Sequence, residues 1–502
     1  VTDKGLKGGA LGLFSSTVIG LASTAPAYSL AATLGVIVGI VGFQSPIVVI
    51  LAFVPMFLIA YGYKELNRAD PDCGTTFTWA SRAFGPRTGW LGGWGIVAAD
   101  IIVMANLAQI AGAYGFQLVG ADGLAQDTFW VTVVGVVWIA VMTLICYIGI
   151  EISANLQKVL LTIEIVVLFL LAVTALVKVY GGTAPNVSSE ISWSWFNPAQ
   201  INSLDGLTKS VLAGVFIYWG WDTAVSVNEE TVDRDRTPGR AAVTSTVILL
   251  LVYVMVTTSA QAFAGVGDRG IGLANPDHSG DVLSSLGAEV FGTGGWGETA
   301  TKLLILMVLT SAAASTQTTI LPTARTTLSM AAFKAIPDRF ARIHPRFLTP
   351  TWSTVGMGLA SIAFYVMLTR VSENVLADSI GSVGLMIAFY YGLTGFACVW
   401  YYRRVLTRGA RDLWTKGIMP GLGGVLLLYF FVNACVVYSA ADYGSTSWTL
   451  PFPPHWQLGG VFVTGIGALL LGAVLMLVCR VFNPGFFRQE TIPVSAHERD
   501  GN

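Results

Sequence analysis

Charge is what this sequence has least of. Asp, Glu, Lys and Arg make up 11% of its 502 residues, where an ordinary soluble domain carries about 25%. That scarcity excludes a string of water-exposed domains. Histidine is rarer still: His278, His344, His455 and His497 all fall in loops or in the C-terminal tail, so no histidine metal cluster or proton relay lies in the apolar segments. Five cysteines, Cys73, Cys146, Cys398, Cys435 and Cys479, stand far apart without a C-x-x-C spacing, and four sit in apolar runs. A disulfide framework and a zinc site are both excluded, because such thiols behave as small hydrophobes. No H-E-x-x-H, G-x-S-x-G or Walker loop is present, so the sequence does not read as an enzyme and calls for no cofactor. With 28 basic and 29 acidic residues, and no basic stripe outside short loops, nucleic acid is not a partner.

What is abundant is apolar surface. Apolar and aromatic residues make up 54% of the chain and the mean hydropathy is +0.67. The solvent that suits it is lipid, where a crossing helix needs about 20 apolar residues and pairs its backbone internally. The reading is an all-α membrane protein. Twelve apolar spans can be placed: Leu11–Gly39, Pro46–Tyr63, Gly89–Leu118, Phe129–Gly149, Val159–Val179, Leu207–Val227, Ala242–Ala264, Thr301–Leu321, Trp352–Leu368, Ile380–Tyr402, Gly421–Ser439 and Leu458–Phe482. The first is too long for a cleavable signal peptide.

With the N-terminus in the cytoplasm, all but five of the 28 Lys and Arg fall on the cytoplasmic side; the five are Lys178, Lys209, Arg269, Lys302 and Arg370. The positive-inside rule therefore places both termini in the cytoplasm of a multi-pass inner-membrane protein. The longest connections, Gly181–Asn202 and Gly265–Glu298, read as external loops too short to fold as domains.

Two spans are interrupted. Span one holds Ala22-Ser-Thr-Ala-Pro26 near its middle, and span six holds Phe216-Ile-Tyr-Trp-Gly220-Trp-Asp222. Proline cannot donate its backbone hydrogen bond and glycine tolerates non-helical backbone, so both helices are expected to break. Breaks at corresponding places in two five-helix halves point to a transporter's substrate site at the midplane; a kink without function is the plainer reading of Pro26 alone.

Three acids lie deep: Asp100 in span three, Glu164 in span five and Asp222 at the second break. A charge at the centre of a membrane helix costs at least about 2.5–3.5 kcal/mol, and no Lys or Arg lies comparably deep. Unpaired carboxylates attract cations, whether a proton, an alkali ion or a substrate ammonium. Structural alternatives remain for each: Asp100 bonding neighbouring Ser or backbone groups, Glu164 in a purely structural role, Asp222 capping the second half of its helix. An i to i+4 bridge between Glu164 and Lys158 is excluded by their spacing. N–H groups following Ala22, Ser23 and Thr24 offer anion donors at the first break. Phe216, Tyr218, Trp219 and Trp221 offer aromatic faces for an ammonium, a gate, or simple packing. Thr310-Ser-Ala-Ala-Ala-Ser315-Thr-Gln-Thr-Thr319 in span eight serves close helix packing or supplies ion ligands.

These residues resemble the amino acid, polyamine and organocation superfamily of secondary transporters over roughly spans one to ten. The matching pieces are the broken first helix, Pro71-Asp-Cys-Gly74-Thr-Thr-Phe77-Thr-Trp79 through Phe84-Gly-Pro86-Arg-Thr-Gly-Trp90, Gly220-Trp-Asp222-Thr-Ala, Asn228-Glu-Glu230, Thr237-Pro-Gly-Arg240, and Arg325-Thr-Thr-Leu-Ser-Met-Ala331 leading to Ile336-Pro337. The resemblance implies a LeuT-type fold of two inverted five-helix repeats, residues 1–179 and 180–404, two further helices within 405–482, and a cytoplasmic tail, 483–502. It implies a substrate site of Ala22, Ser23, Thr24, Ala25, Asp100, Phe216, Trp219, Gly220 and Asp222, with Phe216 at the place of an aromatic gate. Coupling falls to Glu164 and Ser315; Glu164 stands where some relatives carry a lysine, near the sodium site of sodium-driven cousins. The implied activity is import of an amino acid or polyamine with protons, sodium being the alternative ion. An exchanger, a non-transporting sensor and a channel are the competing readings. Many amino acid carriers place a Gly-Ser-Gly-like run at the first break to receive the α-carboxylate. Ala22-Ser-Thr-Ala-Pro26 departs from it, which keeps an amino acid and a polyamine level as substrates.

Overall fold

A computed structural model describes residues 3–278, 281–292 and 295–492; His497 and Arg499, both assigned to the tail, lie outside them. The described chain is mostly helical, with one antiparallel pair of short strands, Ser447–Thr449 and Gln457–Gly459. By length and apolarity, ten segments qualify as membrane spans among the described residues. Nine of them correspond to spans three to five and seven to twelve. The tenth, Leu13–Ala69, joins spans one and two, which only the turn Gly42–Gln44 separates. Span six does not qualify, because its break leaves Leu204–Ile217 and the single turn Thr223–Ser226.

Several helices outrun their apolar stretches. Span eight is a helix over Trp296–Ala332, eleven residues beyond the expected end at Leu321. Its continuation is polar but buried, with Arg325, Thr326 and Ser329 fully enclosed, so hydropathy alone could not register it. The connection before span three holds a helix, Thr76–Phe84, and the second long connection holds Val282–Phe291; both were expected to be loops. Short amphipathic helices bury one face against the bundle and need not be apolar throughout.

Spans three, eight and ten form the interior, while spans four, nine, eleven and twelve stand outside, with a third or less of their residues buried. Their outward faces carry Val137, Leu144, Leu359, Leu428, Leu470 and Val474, a surface suited to hydrocarbon. Small residues set the closest approaches. A side chain at Gly112 in span three would lie 2.4 Å from the Val131 carbonyl oxygen of span four. Both ends of the described chain reach one face: the Lys4 ammonium lies over the Phe333 ring and the Thr491 hydroxyl donates to the Phe333 carbonyl.

The crossing of spans three and four yields a prediction. Gly112→Ala forces the two backbones apart and is expected to cost about 1–3 kcal/mol, whereas Gly115→Ala, with open space at its Cβ, changes stability by no more than about 1 kcal/mol. Thermal unfolding of both variants in one detergent checks this; equal losses would contradict the packing.

Candidate substrate and coupling site

Span one breaks over two residues. The helix Leu13–Ser23 ends, Thr24 caps it, Ala25 takes a left-handed conformation (φ 45°), and Pro26 opens the second half, Pro26–Val41. Left-handed backbone costs a non-glycine residue about 1–2 kcal/mol, so the surroundings must hold it. The break is narrower than expected, since Ala22 and Ser23 remain helical. In span six, Tyr218–Asp222 leave the helix, with Gly220 at φ 116°.

The two breaks abut. A side chain at Gly220 would lie 2.7 Å from the Ser23 carbonyl oxygen, so only glycine permits this approach. The Ser23 and Thr223 hydroxyls bond across the junction at 2.8 Å. All the expected site residues except Phe216 are buried; Phe216, one residue before the end of Leu204–Ile217, is half-buried.

The donors expected to be open at the first break are occupied. Thr24 and Ala25 N–H donate to Leu21 and Ala22 carbonyls. Ala27 N–H donates to Glu164 Oε1 at 2.7 Å, Tyr28 N–H to the Ser311 hydroxyl, and Ser311 in turn to Glu164 Oε1 at 2.8 Å. Glu164 thus holds the first turn of the second half-helix, where a carboxylate is favoured by the helix dipole, and its Oε2 has no hydrogen-bond partner. Lys158 is engaged with Asn155 instead.

Asp222 does not cap its helix. Its carboxylate accepts from Tyr391 at 2.7 Å and Tyr390 at 3.3 Å, both in span ten, and Tyr390 also accepts from Trp219 Nε1. Charge-assisted bonds from two phenols outcompete a single short turn of helix, Thr223–Ser226. Asp100 accepts from the Thr323 hydroxyl and lies within electrostatic range of Asp222. Ser315 donates to the Ser23 carbonyl at 3.2 Å. Tyr218 and Trp221 pack: Tyr218 bonds the Val49 carbonyl, and Trp221 lies against Tyr63 and Tyr391. Sequence reasoning missed Tyr390, Tyr391 and Thr323, whereas Ser311 lay in the span-eight run already singled out. The adjacent tyrosines carried a signal, because two phenols inside an apolar span each need a partner.

At the face bearing the termini, acids do have cations. Lys4 Nζ lies 2.7 Å from Asp72 and 2.5 Å from Glu229. Burial would raise the Asp72 carboxyl, but the Lys4 ammonium, the Ser329 hydroxyl and Gly74 N–H hold it down at about 2. Burial would likewise strip the Lys4 charge, and Asp72, Cys73 and Glu229 more than restore it. Asp72, Cys73 and Glu229 present ligand atoms within 4.8 Å of one another, yet the ammonium already fills their centre. Arg325 makes a bidentate pair with Glu230, both bonds 2.8 Å and both side chains fully buried.

A family model described as amino acid permease matches residues 11–478. This chain belongs to the amino acid permease family. Among similar proteins, a low-affinity putrescine importer of Escherichia coli is 21% identical over 84% of this chain and 88% of its own. An uncharacterized transporter of Mycobacterium tuberculosis is 26% identical over 86% of this chain and 88% of its own. A branched-chain amino acid permease of Lactococcus lactis is 24% identical over 41% of this chain and 46% of its own. The permease is thus a multi-pass membrane protein of a transporter family.

Its buried Arg325–Glu230 pair predicts asymmetric mutational costs. Arg325→Met leaves Glu230 buried and unpaired, and is expected to cost about 3–5 kcal/mol. Adding Glu230→Leu should recover most of that loss. Additive losses in the double variant, read by thermal unfolding, would contradict the pairing.

Proposed function

We propose that this permease is a secondary active transporter that imports an amino acid or polyamine across the cytoplasmic membrane by alternating access, coupled to protons. In this reading spans one to five and six to ten form two inverted repeats of a LeuT-type fold, spans eleven and twelve are additions, and both termini are cytoplasmic. The observation that carries it is the junction of the two broken helices, Gly220 against Ser23, with Asp100, Glu164 and Asp222 buried around it. Paired broken helices are the architecture by which transporters expose polar backbone to a passenger. Buried carboxylates without a basic partner suit a passenger cation and a transferable proton. Ala22 to Ala25, Asp100, Phe216, Trp219, Gly220 and Asp222 line the substrate site; Glu164 carries the proton, and Ser315 positions the first break beside it. The relatives named for putrescine and for branched-chain amino acids support the substrate range.

Uptake of labelled amino acids and polyamines into proteoliposomes, with and without an imposed proton gradient, tests this. The gradient is expected to drive accumulation, Asp222→Asn to abolish it in correctly inserted protein, and Glu164→Gln to remove its dependence on pH. Wild-type uptake by the Asn variant would take Asp222 out of the site. An unchanged pH profile in the Gln variant would take the proton away from Glu164.

A further inference from the structure

A carboxylate-bearing solute is held in a broken-helix transporter by the free N–H groups that open the second half-helix. In this protein those groups can be accounted for one by one. Pro26 has no N–H. Ala27 donates to Glu164, Tyr28 to Ser311, and Ser29 to the Ala25 carbonyl. Before the break, Thr24 and Ala25 donate to Leu21 and Ala22, and the Thr24 hydroxyl donates to the Leu21 carbonyl. At the second break Gly220 N–H donates to the Tyr391 hydroxyl, while Tyr390 and Tyr391 spend their own protons on Asp222. Trp221 Nε1 is left without a partner, but a single neutral N–H is a poor receptor for a carboxylate. The place of a solute's carboxylate is taken by the protein's own Glu164.

The remaining charge is all of one sign. Asp100, Glu164 and Asp222 are buried, and the most deeply placed arginine, Arg325, is committed to Glu230. An α-amino acid would bring a fourth carboxylate into this site with no cation to receive it and no open pair of N–H groups at the start of the second half of span one. An amine brings only what the three acids lack. Glu164 Oε2, buried and unpartnered, is one more acceptor.

Resting on the permease reading above, we propose that the substrate is an aliphatic amine or diamine without an α-carboxylate, and that Glu164, by filling the anion position of the broken first helix, is the residue that rejects the parent amino acid. The preference is built into the protein because the rejecting group is covalently part of span five and is hydrogen-bonded in place by both span one and span eight.

Competition and uptake by the full-length protein in proteoliposomes, using matched pairs that differ only by the carboxylate, test it: putrescine against ornithine and agmatine against arginine, with leucine as a neutral amino acid. Each amine is expected to compete at a concentration at least tenfold below that of its parent. Glu164→Ala, which frees the Ala27 N–H, is expected to shift that ratio at least tenfold toward the parent. A wild-type preference below tenfold, or a reversed one, overturns the proposal, as does an unaltered ratio in a folded Glu164→Ala protein. Uptake of ornithine or leucine without putrescine or agmatine overturns the proposal and leaves the permease reading standing. Uptake of none of the five overturns both.

Discussion

Where a helix breaks inside hydrocarbon, each backbone group it releases must find a new partner within the protein, because no water is there to take it. Span eight supplies two of these partners, at the Tyr28 N–H and the Ser23 carbonyl, and braces a third through Glu164. Along one helix, Ser311 bonds Glu164 and receives Tyr28 N–H, Ser315 holds the Ser23 carbonyl, and the Thr318 carbonyl faces the Thr223 hydroxyl. Further along, Thr323 meets Asp100, Arg325 meets Glu230, and Ser329 meets Asp72. From Ser311 to Ser329 is about 27 Å of helix at 1.5 Å per residue, close to the thickness of the hydrocarbon core, about 30 Å. The junction of spans one and six is held by this polar helix together with Glu164 of span five, Tyr391 of span ten and Tyr253 of span seven, which donates to the Ile217 carbonyl.

Two kinds of acid stand along that face. At the end bearing the termini, Asp72 and Glu229 share Lys4, Glu230 pairs with Arg325, and Asp70 faces Arg82 at 2.7 Å. These pairs bind the segment before span one to the connection after span two and to the ends of spans six and eight. Deeper in, Asp100, Glu164 and Asp222 have hydroxyl and N–H donors but no cation. The same burial that goes with cation pairs in the first group leaves the second without a cation, and in the function proposed above that is where positive charge arrives and leaves.

Much of this was legible in the residues because the rules involved are local. Pro26 and Gly220 announced their breaks through backbone geometry, and three acids in apolar runs stood out because charge there is so costly. The partners were only partly legible. The run holding Ser311 and Ser315 stood out as packing or ion ligands without showing what it bonds, Thr323 lay beyond it, and nothing in the order of residues says that Tyr390 and Tyr391 face Asp222, 168 and 169 positions away. The expectation of free N–H groups after Ala22, Ser23 and Thr24 failed for a local reason, since those of Thr24 and Ala25 close on the Leu21 and Ala22 carbonyls; the carboxylate that answers Ala27 N–H comes from span five, and only the fold brings it there. Span eight extends past Leu321 because its polar end is enclosed by protein, which hydropathy does not sense.

The central claim is that the two interrupted helices touch. In a chain whose five cysteines have been replaced, Ser23→Cys with Thr223→Cys measures it directly, since the two side-chain oxygens lie 2.8 Å apart. Oxidation in native membranes is expected to cross-link this pair in high yield and to stop uptake, with reductant restoring both monomer mobility and uptake. A yield no greater than that of Ser23→Cys paired with Leu470→Cys, on the exposed face of span twelve, would contradict the account.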